Sequence, residues 1–178
     1  LQYASRLVEF FPQEGERLEC VARLQQAQGQ EDQSYVTLLQ AARAYAEEEN
    51  LARAVELFRK LARQRPEKEE VRRELADLLW ARGQTEQAIV EEKEIAAAYT
   101  RSGQLDKATG CYERMLERDP QNPELMQELA DFHLQQEQPA KAAELLSRLA
   151  DHYTQREMLR RAQDILQRIL TIQPAHRE

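Results

Sequence analysis

The sequence repeats itself at intervals of 54 positions, and this period limits the folds that the chain can adopt. Three columns of identical residues carry the period: Tyr45, Tyr99 and Tyr153; Ala54, Ala108 and Ala162; and Pro66, Pro120 and Pro174. A fixed period of this kind is typical of tandem structural repeats, in which each unit packs only against its neighbours. We therefore predict a single array over residues 1–178, with full units at 13–66, 67–120 and 121–174.

Each unit carries the pattern of α-helices. Apolar residues recur three and four positions apart, which places them on one face of a helix. The chain is rich in Ala, Leu, Glu, Gln and Arg and has only 5 Gly in 178 residues, a composition that favours helix. Three helices in each unit, preceded by the last helix of an earlier unit at 1–12, give an all-α fold of about ten antiparallel helices. Because the sequence opens inside a unit, we expect it to be cut from a longer array.

The stretch from Ile95 to Pro120 shows the pattern within one unit. Tyr99 lies on a first helix, Ala108 and Tyr112 lie on a second, and a Pro closes the unit. This arrangement resembles the tetratricopeptide repeat, which has an aromatic residue on its first helix, Ala and an aromatic residue on its second, and a final Pro. The family prefers Trp, Leu and Gly at three earlier positions, where this chain has Glu92, Ile95 and Ala96.

The period is longer than the ordinary repeat of that family, which has about 34 residues. The difference is the length of one further helix with its turn. Middle helices near 31–48, 85–101 and 139–155 would then each serve two overlapping repeats, because a solenoid helix contacts one neighbour on each side. The resemblance implies a right-handed helical-repeat solenoid.

The sequence offers no site for chemistry. It lacks Gly-rich phosphate loops, HExxH, GxSxG and paired CxxC motifs. Its three histidines, His133, His152 and His176, share no metal-ligand spacing with one another or with a cysteine. Cys111 falls in an apolar column and is predicted to be a buried core residue rather than a nucleophile. We therefore predict a protein that is not an enzyme and has no catalytic residues, metal or cofactor.

Charge and hydropathy narrow the range of partners. The formal net charge is −7, and no helix carries the basic stripe that phosphate contacts require, so we do not expect nucleic-acid binding. No apolar run reaches the roughly 20 residues of a membrane-spanning helix. We expect a cytoplasmic protein that binds another protein or a peptide.

The resemblance implies a concave groove that binds a peptide or a helix of the partner. The side chains expected on that face are Arg73, Asp77, Trp80, Lys93, Ala97, Arg101, Gln127, Asp131 and Leu134. Trp80, the only Trp, either forms a binding hot spot or covers a seam between helices. The chain lacks the Lys-x-x-x-Asn and Lys-x-x-x-Arg pairs by which some members of the family grip a C-terminal carboxylate, so no such clamp is predicted.

An interaction scaffold is thus the leading hypothesis, and two others remain open. The first is a regulatory or sensor array attached to an enzyme or a transcription factor. The second is a structural spacer that assembles with itself. Apolar side chains near both ends favour end-to-end association of copies: Leu7, Val8, Phe11, Ile165, Leu166, Ile169 and Leu170.

Overall fold

The computed structural model describes residues 13–172, and every regular element in this range is an α-helix. The nine helices are α1 Glu14–Ala27, α2 Glu31–Glu47, α3 Leu51–Gln64, α4 Glu69–Ala81, α5 Thr85–Arg101, α6 Leu105–Arg118, α7 Pro123–Gln135, α8 Pro139–Gln155 and α9 Leu159–Ile172. The predicted all-α fold is confirmed. The helix predicted at 1–12 and the repeat Pro174 lie outside the described residues.

Helix bounds recur with the period of the sequence. Helices α2, α5 and α8 each have 17 residues and begin at positions 31, 85 and 139. Helices α3, α6 and α9 each have 14 residues and begin at 51, 105 and 159. Starts that lie 54 positions apart fit the predicted three helices per unit, although the boundaries of the units themselves stay a prediction.

Six helices end in the same left-handed turn within residues 13–172. The residue after the C-cap has φ between 57° and 75° in each: Gly29, Glu49, Gly83, Gly103, Glu137 and Glu157. At the first of these turns the N–H of Gly29 donates to the carbonyl of Gln26 at 3.0 Å, and the N–H of Gln30 donates to that of Gln25 at 2.9 Å. This Schellman pairing satisfies carbonyls that the helix leaves open. Glu occupies three of the six positions despite the steric cost of this conformation for a residue with a Cβ.

The chain divides into two compact units, unit 1 ending at Glu91 and unit 2 beginning at Glu92, so the division falls inside α5. In unit 1, α2 packs against α1 and α3, and α3 packs against α4. The core of unit 1 includes Phe58, Leu61, Leu75 and Leu79, each at most 1% exposed. Phe58 and Leu61 are three positions apart and Leu75 and Leu79 are four apart, so each pair lies on one face of its helix.

Tyr45 of unit 1 depends on a glycine for its place in the core. The ring is 4% exposed, and a Cβ added to Gly15 of α1 would lie 2.8 Å from ring atoms of Tyr45. Only a residue without a side chain allows α1 to approach this ring. Glu48, at the end of α2, also binds the start of α1, because its Oε1 accepts the N–H of Glu14 at 2.7 Å.

In unit 2, α7 packs against α6 and α8, and α8 packs against α9. Met115, Leu146 and Leu149 are fully buried. Cys111 is 1% exposed, which confirms its predicted place in the core. The rings of Tyr112 and Phe132 join α6 to α7 at 4.9 Å between centroids.

Candidate partner-binding surface

The first three predicted groove residues lie on α4 in unit 1, and we call them the α4 face: Arg73, Asp77 and Trp80. They are four and three positions apart and so share one side of the helix. Arg73 forms an ion pair with Glu69, and Asp77 is exposed. Beside them, Glu74 accepts two hydrogen bonds from Arg43 of α2, at 2.9 Å and 2.6 Å. This fork ties α4 to α2 and fixes the helix that carries the face.

Trp80 is half-buried, with part of its side chain packed against the hydrophobic core of unit 1. The rest of the side chain is open to solvent. Packing against the core holds a large aromatic group in one position at the surface, so little conformational entropy remains to be lost when a partner contacts it.

Lys93 of α5 is held by two carboxylates of α7 within unit 2. Its Nζ lies 2.9 Å from Oε1 of Glu124 and 2.8 Å from Oε1 of Glu128. Burial by itself would lower the pKa of Lys93, but the two carboxylates outweigh it and raise the pKa. The hydrogen bond from Lys93 in turn lowers the pKa of Glu124. Lys93 therefore joins α5 to α7, a role that the sequence did not predict.

Asp131 of α7 also takes part in a link between helices, since it forms an ion pair with Arg168 of α9. The other four predicted residues of unit 2 are open to solvent to different degrees. Arg101 and Gln127 are exposed, whereas Ala97 and Leu134 are half-buried. Ion pairs within the chain thus engage two of the three charged residues predicted on this surface of unit 2, Lys93 and Asp131.

A buried carboxylate, that of Glu19, connects α1 with α3 in unit 1. Glu19 is 8% exposed and accepts hydrogen bonds from the Arg53 guanidinium and from the Tyr45 hydroxyl at 3.2 Å. Burial raises the pKa of Glu19, but the bonds to Arg53 outweigh this and leave the pKa below its ordinary value. Glu19 of α1 thereby bonds to Tyr45 of α2 and to Arg53 of α3 inside unit 1.

Unit 1 also contains a basic cleft of about 670 Å³, which was not predicted from the sequence. It lies along α3 and is completed by the end of α4 and the turn that follows. Its cationic side chains are Arg59, Lys60 and Arg63 of α3 and Arg82, the C-cap residue of α4. A cluster on α3 was visible in the sequence at i, i+1 and i+4. Its completion by Arg82 depends on the tertiary fold.

A buried histidine lines a smaller cleft of about 440 Å³ between α6 and α8 in unit 2. His133 is 4% exposed, and its Nδ1 has no hydrogen-bond partner among the described residues. Burial, with a further contribution from Lys141, lowers the pKa of His133, so the imidazole is neutral at physiological pH. Within residues 13–172, no three His, Cys, Asp or Glu side chains are grouped to bind a metal ion.

Comparison with protein families identifies the repeat. A sequence model of the tetratricopeptide repeat matches residues 45–101 and 99–160, together more than half of the chain. These spans include all three tyrosines of the repeating column, Tyr45, Tyr99 and Tyr153, and the turn at Gly83. A comparison with curated protein sequences gives no significant match. No helix in the described part of the chain combines the length and the apolar character needed to cross a membrane.

Several solved structures are similar at low sequence identity. Nearly identical TPR-like repeats of a putative kinesin light chain from Podosopora anserina match at 19% identity and a TM-score of 0.48, covering 97% of this chain and 89% of that one. BtubC from P. vanneervenii matches at 16% identity and a TM-score of 0.45, covering 98% and 87%. YrrB, a TPR protein with an unusual peptide-binding site, matches at 15% identity and a TM-score of 0.36, covering 90% and 97%. Because these TM-scores are below 0.5, the assignment of the family rests on the match of the sequence model alone.

Proposed function

The chain belongs to the tetratricopeptide repeat family, and we propose that it binds a segment of a partner protein on the α4 face of unit 1. Helical repeats of this family are protein-interaction scaffolds, so a general role in protein binding follows from membership. The choice of the α4 face is our proposal. It is supported by the chemistry of the three side chains on that face and by the way α4 is held in place.

The observation that carries the proposal is the position of Trp80. Its indole is seated against the core of unit 1 and is partly open to solvent. Trp is among the residues most enriched at binding hot spots, because it offers a large contact area with few rotatable bonds. Asp77 and Arg73, one and two turns before it, place a charge of each sign beside the ring. We infer a partner segment that has an apolar side chain flanked by acidic and basic residues.

The remaining predicted residues give a second surface, on α5 and α7 of unit 2. Lys93 and Asp131 already bind carboxylate and guanidinium groups of this chain, so the groups available for contact there are Arg101, Gln127 and Leu134. We propose that this surface supports binding without dominating it. Arg101→Glu combined with Gln127→Ala should therefore weaken binding less than Trp80→Ala does.

Affinity measurements with matched variants test the proposal. Once affinity capture has identified a partner, Trp80→Ala should weaken binding by about 2 kcal/mol, as hot-spot truncations do. Trp80→Phe should retain part of that affinity, because it keeps an aromatic ring in the same seat. Leu24→Ala is the matched control, since Leu24 is another apolar side chain of unit 1 and is 56% exposed. Equal affinities of wild type and Trp80→Ala, together with a large loss of stability, would show that Trp80 only fills a seam.

Self-association is a second candidate function, favoured by the apolar surface of α9. Leu166 is 51% exposed and Leu170 is 45% exposed on this helix. Neighbouring exposed leucines of this kind mark an interaction surface more often than isolated ones do. If this surface binds a second copy, wild type should show a concentration-dependent oligomer in sedimentation and Leu166→Glu should not. A monomer at every concentration would exclude this function. The predicted counterparts Leu7, Val8 and Phe11 lie outside the described residues.

A further inference from the structure

The basic cleft of unit 1 combines a small apolar part with four cationic side chains. Ala52 and Val55 of α3 form its apolar part, and Val55 is 4% exposed. Arg59, Lys60 and Arg63 follow on the same helix, within two turns of Val55. Arg82 approaches from the end of α4. The volume of about 670 Å³ lies in the range of pockets that bind a ligand of several residues or less.

The positive charge of the cleft is largely uncompensated. Lys60, Arg63 and Arg82 form no ion pair with any other residue in the described range. Arg59 donates to the side-chain oxygen of Gln87 on α5, a neutral partner that positions the guanidinium without cancelling its charge. The sole acidic residue that lines the cleft, Glu56, forms an ion pair with Arg53.

This concentration of cations stands out in a chain whose formal net charge is −7. Unpaired like charges so close together repel one another and weaken the folded state. An acidic ligand would reverse this contribution, because each carboxylate would meet a guanidinium or an ammonium group already in place.

We propose that the basic cleft binds an acidic segment of a partner protein, with an apolar side chain among the acidic ones. The carboxylates meet Arg59, Arg63 and Arg82, and the apolar side chain lies beside Val55. The site uses no residue of the α4 face, so it goes beyond the function proposed above. Either proposal can fail while the other holds.

The equivalent helix of unit 2 offers a natural reference. The positions 54 residues after Arg59 and Arg63 are Glu113 and Glu117, on α6. The same helical positions therefore accept either sign of charge in this fold. The charge reversal Arg59→Glu with Arg63→Glu copies residues that the protein already uses, and it should leave the helix intact.

Fluorescence anisotropy with labelled peptides tests the proposal. The probe is a fluorescein-labelled decapeptide of glutamate with leucine at every third position, and the reference peptide has glutamine in place of each glutamate. We expect the glutamate probe to bind wild type in a salt-sensitive manner and the glutamine peptide not to bind. The double charge reversal should weaken binding of the probe by about tenfold or more.

A control variant separates the cleft from the net charge. Arg156→Glu with Arg160→Glu changes the net charge by the same amount at exposed positions of unit 2, outside the cleft. This variant should bind the probe about as well as wild type does. Far-ultraviolet circular dichroism should give the same helix content for all three proteins.

Four results would overturn the proposal. They are no binding of the glutamate probe to wild type, equal binding of the glutamine peptide, equal losses in the two double variants, and tighter binding of a labelled oligothymidylate that the Arg59 and Arg63 reversal abolishes. The last result would assign the cleft to nucleic acid instead of an acidic protein segment. None of these outcomes depends on the behaviour of Trp80.

Discussion

Replacing Glu137 by Gly should stabilise unit 2, because Glu137 ends α7 in a left-handed conformation with a φ of 57°. This conformation costs a residue with a Cβ roughly 1–2 kcal/mol. Gly has no such penalty but loses more backbone entropy on folding, by roughly 0.5–1 kcal/mol. The carboxylate is also unfavourable at the C-terminus of a helix, by about 0.3 kcal/mol or more. The net gain that we expect is about 1 kcal/mol.

Urea unfolding followed by circular dichroism measures this gain, and two control variants isolate its cause. Glu137→Ala removes the charge but keeps the Cβ, so it should give only the small electrostatic part. Gly83→Ala makes the reverse change at the equivalent position 54 residues earlier, where φ is 69° and an added Cβ would meet no atom within 4 Å. Its cost of about 1 kcal/mol would therefore come from the backbone conformation alone.

An unchanged free energy of unfolding in Glu137→Gly or in Gly83→Ala would contradict this conformational cost. Either result would mean that the six turns tolerate a Cβ without cost, and that Gly at three of them has no conformational role. Glu49→Gly and Glu157→Gly should also raise the free energy of unfolding, since both residues have a positive φ. The effects of well-separated sites should add.

Three further changes should alter stability through other contacts. Gly15→Ala should destabilise unit 1 by about 1–3 kcal/mol, measured by urea unfolding, because its Cβ would lie 2.8 Å from the Tyr45 ring. The pKa of His133 is lower in the folded chain than in the unfolded chain, so its contribution to stability is present above the pKa of the unfolded chain and is lost as pH falls. His133→Leu should therefore make the free energy of unfolding less dependent on pH between pH 7 and 5. Arg53→Met should lower the free energy of unfolding by about 2 kcal/mol at pH 7, because it leaves Glu19 without its ion-pair partner. The loss should be smaller than for a fully buried pair, since the Arg53 side chain is 35% exposed. The difference between the variant and wild type should become smaller in acid. Protonation of Glu19 removes the unpaired charge in the variant, and wild type loses the stability that comes from the lowered pKa of Glu19.

The period of 54 residues predicted the helices well because each turn is a local event. Gly29, Gly83 and Gly103 mark three of the left-handed turns directly. Glu49 and Glu157 carry no such mark by themselves. They are recognisable only because they stand 54 positions from Gly103, so the repeat, and not the residue type, locates those turns.

Burial within a column was less predictable than the column itself. The sequence treats Tyr45 and Tyr99 as equivalent, yet Tyr45 is buried and Tyr99 is half-buried. Tyr45 is covered by α1, which reaches it through Gly15 and Glu19. Tyr99 has the ammonium group of Lys107 above its ring, at 5.2 Å from the centroid. Two identical residues of one column therefore lie at different depths, which the sequence period alone does not show.

The candidate site was predicted only in part, for a related reason. Lys93 lies on α5 and Asp131 on α7, and each pairs with a residue of another helix, Glu128 of α7 and Arg168 of α9. Helical periodicity states which face a side chain occupies and not which helix lies beside it. The basic cleft was not predicted for the same reason, because Arg82 of the α4 C-cap lies beside the cations of α3 only in the folded chain.

The fluorescence of Trp80 tests the central proposal most directly, because Trp80 is the only Trp in the chain. Its emission can be recorded during titration with a partner segment that lacks Trp, together with its quenching by acrylamide. If the α4 face is the binding surface, binding should shift the emission to shorter wavelength and protect the indole from the quencher, since the partner excludes water from the ring. Saturation of the partner at an unchanged emission spectrum and unchanged quenching would contradict the proposal and place the binding surface elsewhere.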